Sequence, residues 1–198
     1  MIIIENQILE NIYRRRSIRK YKSEQIQDQE LNQIIEAGRF APSGGNSQTN
    51  HFIVIQKAEI LNELKELVMQ EYSKLPVTEN MYKGLKGAIL QSQKGHYDFC
   101  FNAPTLIIAT NLRDYNHAMA DCAVALENMM LAATSLNIGS CWINQLRGLA
   151  DNEVIKSYGK TLDIQDNEII CGGVSLGYPN QADLKCLERI GNKVSMFR

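Results

Sequence analysis

Nine consecutive residues, Tyr13-Arg14-Arg15-Arg16-Ser17-Ile18-Arg19-Lys20-Tyr21, hold four arginines, a lysine and a seryl hydroxyl. Planar guanidinium forks match the oxygens of a phosphate monoester, and Ser17 can add a hydroxyl hydrogen bond. The same run also reads as a solvated helix end whose cations complement a C-terminal dipole. A second stretch, Ala41-Pro42-Ser43-Gly44-Gly45-Asn46-Ser47-Gln48, is crowded with small residues and side-chain amides. Glycines let a flat ring approach the backbone, and Asn46 and Gln48 can donate and accept at ring heteroatoms. An ordinary helix-to-strand turn uses the same residues. The third stretch, Gly139-Ser140-Cys141-Trp142-Ile143-Asn144-Gln145, carries the only tryptophan and is followed by Gly172-Gly173-Val174-Ser175-Leu176-Gly177-Tyr178-Pro179. Taken alone, Trp142 is an aromatic anchor of a buried strand.

The elements that must position these residues follow from periodicity. Ile8, Leu9, Ile12 and Tyr13 share one face of a short helix that ends in the arginines. A second helix starts near Asp28, turns Leu31, Ile34, Ile35 and Gly38 inward, and stops at Ala41-Pro42, because proline restricts the residue before it. His51 to Gln56 reads as a strand and Ala58 to Glu71 as an amphipathic helix. Thr105 to Thr110 is a continuous apolar strand. The segment Tyr115 to Leu136 is a long helix, apolar almost all round and therefore buried. Ser140 to Ile143 is a short strand, Asp151 to Tyr158 a surface helix and Glu168 to Leu176 a last strand, with one apolar strand or arm possible in the tail from Asn180. Residues 73–100 carry Pro76, Gly84, Gly87 and Gly95 with weak periodicity, which predicts a mobile lid burying little apolar area. Tyr82, Tyr97 and Phe99 are its candidate pocket walls, or simply pack it onto the core.

With 198 residues and 44% hydrophobic content the chain can build a single domain, 1–198. A net charge of −1, from 21 basic and 22 acidic residues, leaves no global field to attract nucleic acid or an anionic membrane. Any anion site must be local. The opening Met1-Ile2-Ile3-Ile4-Glu5 is too short for a signal h-region or a span. Cys100, Cys122, Cys141, Cys171 and Cys186 form an odd set without a C-x-x-C pair or a histidine cluster. Neither a disulfide framework nor a metal site is favoured, and a cytoplasmic protein is expected.

Taken in order, Arg-Arg-Ser-x-Arg, Ala-Pro-Ser-x-x-Asn-x-Gln, the Asp-x-Ala-x-Ala-x-x-Asn helix from Asp121, Gly-Ser-Cys-Trp-Ile and Leu-Gly-Tyr-Pro closely resemble the nitroreductase family of FMN enzymes. The resemblance runs from about Asn6 to Phe197 and is weakest over 73–100. It implies an α+β fold, a mixed sheet flanked by helices, with the 115–136 helix at a large apolar homodimer interface that resembles a cut core. Arg15, Arg16 and Ser17 match ribityl and phosphate contacts, and Arg19 a cation near flavin N1 and O2 that would stabilise the anionic reduced ring. Pro42, Ser43, Gly44, Asn46 and Gln48 match the loop that reaches the flavin bound mainly by the other subunit, so each site is shared. Trp142, Ile143, Asn144 and Gln145 match the segment passing the N5 edge, where a backbone N–H is commonly the donor. Arg189 matches a C-terminal phosphate contact, with Lys185 as competitor.

The resemblance further implies hydride transfer from NADH or NADPH through flavin N5 to small electron-poor acceptors such as nitroaromatics or quinones. No G-x-G-x-x-G follows a strand, which suits a ping-pong scheme in which donor and acceptor use one flavin face in turn. No side chain is assigned as catalytic acid. Relatives of this type also act on enones, halogenated phenols or free flavin, and an FMN store or redox sensor is the non-enzymatic alternative. The sequence departs from the family at Thr49-Asn50, where Pro-Trp usually follows the glutamine.

Overall fold

The computed structural model describes residues 6–181, 185 and 188–198. The expected first helix is α1 (Gln7–Arg14), capped by the Asn6 side chain, which accepts the N–H groups of Ile8 and Leu9. It ends where Arg15 turns extended at ψ 133°. Helix α2 (Asp28–Arg39) buries Leu31, Ile34 and Gly38, stops three residues before Pro42, and hands over through a single 3₁₀ turn at Gly44–Asn46 to strand β1 (His51–Ile55). Helix α3 (Ala58–Ser73), helix α4 (Lys83–Gln93), strand β2 (Thr105–Leu112), helix α5 (Ala118–Ser135) and strand β3 (Gly139–Ile143) follow. The short α6 (Gln145–Gly148), α7 (Glu153–Thr161) and strand β4 (Glu168–Gly177) complete the chain of elements.

The strands form one sheet in the order β1-β2-β4-β3, each neighbouring pair antiparallel. Among the described residues its parallel component is a single bridge between Ser17 and Ser140. Strand β2 is central and covered on both faces. Leu106 and Ile108 enter the core under α3, α4, α6 and α7, while Ile107 and Ala109 enter the core under α2 and α5. Successive side chains of a strand point to opposite faces, so a strand between two cores must be apolar at every position. This is the continuous run seen in the sequence.

Helix α5 turns Cys122, Ala125, Leu126, Met129 and Ala133 toward the sheet, all at or near zero exposure. Its far side carries Met119 and Val124, which stay exposed in the single chain. Helix α1 lies along α5, tied by the Asn11 side-chain amide donating to the Leu131 carbonyl at 2.9 Å. The apolar face of α1 is uncovered: Ile8, Leu9, Ile12 and Tyr13 are all exposed, and so is Phe40 at 83%. Each such side chain would gain roughly 1.5–3 kcal/mol if fully buried.

Residues 73–100 do not match the expectation of a segment that buries little. They contain α4, and Ala88, Ile89, Phe99 and Cys100 sit in the core beside α3. Phe99 is therefore packing, Tyr97 is half-buried with its ring edge-on to Tyr72 at 6.0 Å, and Tyr82 is 80% exposed. Two stretches, 76–82 and 94–96, are both irregular and largely exposed. Hydrogen exchange is expected to be slow for 88–93, as in α5, and fast for 76–82 and 94–96, because local opening free energy follows burial. Fast exchange across all of 73–100, with protection by a nicotinamide analogue, would restore the whole segment as a lid.

In the tail, 188–198 has no regular structure, and Ile190, Val194, Met196 and Phe197 are exposed. Residues 1–5 and Cys186 lie outside the described residues. Among the described residues no helix is long and apolar enough to cross a membrane.

Candidate functional site

Beyond α1 the arginine run is held in an extended path by the sheet. The Ile18 N–H donates to the Ser140 carbonyl at 2.9 Å, the Lys22 N–H to the Tyr178 carbonyl at 2.9 Å, and the Asn180 N–H to the Lys20 carbonyl at 2.9 Å. Tyr21 fastens the middle: its hydroxyl donates to the Ile18 carbonyl at 2.6 Å and lies 2.9 Å from Ser175 Oγ. Burial pushes that phenol well above its ordinary pKa, so it stays a neutral donor. The run is thus strapped across the ends of β3 and β4.

Its cations then divide. Arg14 turns back and donates to the Thr134 carbonyl at the end of α5, where a cation meets the negative end of the helix dipole. The solvated-end reading holds for this residue. Ser17 bridges to Ser140, beside the buried Cys141, whose thiol is raised by burial against the opposing charge of Arg19, a hydrogen bond with Ser17 and the charge of Arg15. Arg15 is half-buried with Glu127 at 3.6 Å, and Arg19 sits 5.6 Å over the Phe101 ring. Arg16 spends Nη1 on the carbonyls of Tyr13 and Arg15, while its buried Nε has no partner. A donor left so is costly unless another group supplies an acceptor, and a phosphate oxygen would do so with a charge-assisted bond. The side chains present therefore fit a phosphate monoester.

The 42–48 loop is fixed from α5. Asp121, only 5% exposed, accepts the Gly44 N–H on both carboxylate oxygens, at 3.2 and 3.1 Å. The Tyr115 hydroxyl lies 3.0 Å from Asp121 Oδ2 and 3.0 Å from the Gly44 carbonyl. A side chain at Gly44 would run into Tyr115 and His117, so the glycine is required by close approach. Left-handed backbone at Gly45, Asn46 and Gln48 (φ 59°, 56° and 51°) gives the loop its shape. Ser43 braces it by accepting the Gln48 N–H on Oγ at 3.1 Å. Beside it opens a cleft of about 180 Å³ whose walls include Arg39, Ser43, Gln48, Asn50 and Phe52. The departure at Thr49-Asn50 is answered by polar ties. Asn50 donates to the Asp121 carbonyl at 3.2 Å and accepts from the Asn111 amide at 2.7 Å.

At the end of β3, Trp142 is half-buried against Gly172, where a Cβ would come within 2.9 Å of the indole Cζ2. Ile143 is fully buried core. The Asn144 N–H donates to Gln145 Oε1 at 3.1 Å, and the Gln145 carbonyl accepts the Tyr72 hydroxyl at 3.0 Å. Burial pushes the neighbouring Tyr97 phenol up to about 12, against a hydrogen bond with Gln145. Lys185 and Arg189 are exposed in the tail, outside regular structure.

The single chain thus gathers Arg15, Arg16, Ser17 and Arg19 at β3, and separately gathers Pro42 to Gln48 at the start of α5. Asp121, Tyr115, Tyr21 and Phe101 are the participants that sequence reasoning left without a role. For Asp121 a signal existed, since an acidic residue inside an otherwise apolar helix must be compensated.

These features can be set beside known proteins. A protein of Archaeoglobus fulgidus, provisionally named NADH dehydrogenase/NAD(P)H nitroreductase, is 33% identical over 171 residues, 86% of this chain and 84% of that one. The Bacillus subtilis protein named FMN reductase (NAD(P)H) is 27% identical over 182 residues, 91% of this chain and 69% of that one. A crystal structure of a nitroreductase with bound FMN from Bacteroides fragilis matches with a TM-score of 0.86 at 36% identity, covering 98% of this chain and 100% of that one. The model of the nitroreductase family matches residues 12–178, a span that takes in the arginine run, the 41–48 loop, α5 and both glycine-bearing strands, and the chain belongs to that family.

Proposed function

We propose that this protein is a cytoplasmic, homodimeric FMN-dependent oxidoreductase that takes hydride from NADH or NADPH and delivers it to a small electron-poor acceptor such as a nitroaromatic or a quinone. The observation that carries the reading is the buried, unpartnered Arg16 Nε in an arginine run bridged to β3 at Ser17, in a chain 36% identical over its length to an FMN-bound nitroreductase. Bound there, FMN supplies the two-electron carrier that links donor to acceptor. Arg15, Arg16 and Ser17 hold its phosphate and ribityl end, and Arg19 offsets negative charge on the reduced ring. Loop 42–48 of the other subunit would contribute small residues against which a flat ring can rest, and Trp142 to Gln145 would pass the ring's N5 edge. Arg189, with Lys185 as competitor, would add a further phosphate contact.

The dimer is supported by the uncovered apolar face of α1, by exposed Phe40, Met119 and Val124, and by the separation of the two half-sites along α5. Cys100, Cys122, Cys141 and Cys171 are all free thiols, which suits a reducing compartment. With no separate nicotinamide fingerprint, donor and acceptor alternate over the same face in a ping-pong cycle. Purified protein is expected to be yellow and to bleach when NADH or NADPH is added without oxygen, then recover on addition of a nitroaromatic or quinone. Yellow protein that neither nucleotide bleaches would point to an FMN store or sensor, and colourless protein that takes up no FMN would sink the reading altogether.

A further inference from the structure

We propose that Asp121 and Tyr115 form a latch that sets the 42–48 loop in its flavin-contacting shape, making both of them positioning residues of the flavin site. The inference rests on the reading above, in which that loop touches the cofactor.

Within itself the loop is closed by the Asn46 N–H on the Ser43 carbonyl at 2.9 Å and the Gln48 N–H on Ser43 Oγ at 3.1 Å, but these bonds do not fix it to the body of the protein. Gly45, Asn46, Ser47 and Gln48 are exposed, and Asn46 and Gln48 adopt left-handed backbone that costs a residue with a side chain something to maintain. Such a conformation persists only where its surroundings over-determine it. Here the surroundings are one buried carboxylate and one phenol. Asp121 takes the Gly44 N–H between its two oxygens, and the Tyr115 hydroxyl bridges from Asp121 Oδ2 to the Gly44 carbonyl, so both polar groups of Gly44 are engaged. Ser47 Oγ donates to the same hydroxyl at 3.2 Å, which ties the far side of the turn. The His117 ring lies edge-on to Tyr115 at 5.5 Å and also closes on Gly44.

A carboxylate suits this place for two reasons. It accepts from several donors without presenting one of its own, whereas an amide would turn an NH2 group toward Gly44 or Tyr115. It also sits in the first turn of α5, where the helix dipole favours negative charge. Because α5 is the helix expected at the dimer interface, the latch refers the loop's position to the same element that orients the second subunit.

Asp121→Asn and Tyr115→Phe are the test, with Asn128→Ala as control. Asn128 donates to the Ala37 carbonyl at 3.0 Å and so supports α2 on α5 without reaching the loop. FMN is titrated into each apoprotein, the visible absorption of the bound flavin is recorded, and thermal unfolding of each apoprotein is measured. Asp121→Asn is expected to weaken FMN binding about tenfold or more, the loss of a hydrogen bond to a charged group, and to shift the flavin spectrum. Tyr115→Phe should weaken it by a smaller factor, while Asn128→Ala lowers the unfolding temperature and leaves the dissociation constant alone. Should Asp121→Asn fail to fold, Tyr115→Phe, which removes one hydroxyl, still reports on the loop. Wild-type affinity and spectrum in the latch variants, or a loss in Asn128→Ala as large as theirs, would overturn the latch. Wild-type protein that takes up no FMN would instead overturn the flavin reading, and the latch's purpose with it.

Discussion

Replacing Arg15 by alanine, and in a second variant Arg19, is expected to weaken FMN binding by at least about tenfold, since a hydrogen bond to a charged group contributes about 1.5–3 kcal/mol. Folding should scarcely notice either change. Arg15 pairs at 3.6 Å with Glu127, whose side chain is 48% exposed, and exposed pairs of that kind are worth roughly 0–1 kcal/mol. Arg19 rests over Phe101, a cation–π contact that contributes about 0.5–1 kcal/mol at an exposed site. Affinity and stability therefore separate, which distinguishes a binding role from a packing role. Calorimetric titration of FMN into each apoprotein, beside its thermal unfolding, checks the prediction. An unchanged dissociation constant in both variants would leave the run as a strap across β3 and β4 with no cofactor to hold.

The second large effect concerns the pairing of chains. In one chain the 42–48 loop is fixed at Asp121, near the start of α5, while Arg14 meets Thr134 near its end. Those positions are thirteen residues apart, roughly 20 Å along a helix. In a two-fold dimer packed along α5, the start of one helix lies near the end of the other, which brings the loop of one subunit to the arginines of its partner. A subunit altered at Asn46 and a subunit altered at Arg15 should then complement each other. The mixed dimer collects both defects in one site and leaves the other intact, so refolding an equal mixture should return about a quarter of wild-type activity by random assortment. Mixtures no more active than either parent would mean that loop and arginines serve the same chain's site, and the shared-site arrangement would fall.

Much of this arrangement was legible in the residues. Helices α2 and α3 and strands β1, β2 and β4 announce themselves because each buries one face or both, and burial imposes a period of 3.6 or 2 or a continuous apolar run. The arginine run, the Ser-Gly-Asn loop and the tryptophan strand were recognisable together as motifs of the family, by their order along the chain, while each by itself also reads as an ordinary helix end, turn or strand. Helix α4 was not legible. Gly84 and Gly87 lower its propensity, and its buried face is only Ala88, Ile89 and Ser92, too narrow for a periodic signal. Contact with α3, not local preference, makes it a helix.

Other features belong to the tertiary structure alone. The sequence placed Ile8, Leu9, Ile12 and Tyr13 on one face, but only the folded chain reveals that this face meets no core of its own. Likewise the sequence put an aspartate in the long apolar helix, and its chemistry depends on a loop 77 residues away. Composition and periodicity record what a residue does for its own element within a turn or two. A buried carboxylate, an unpartnered guanidinium Nε and an uncovered helix face are defined by which distant groups arrive beside them, and that is decided only when the two cores close on the sheet.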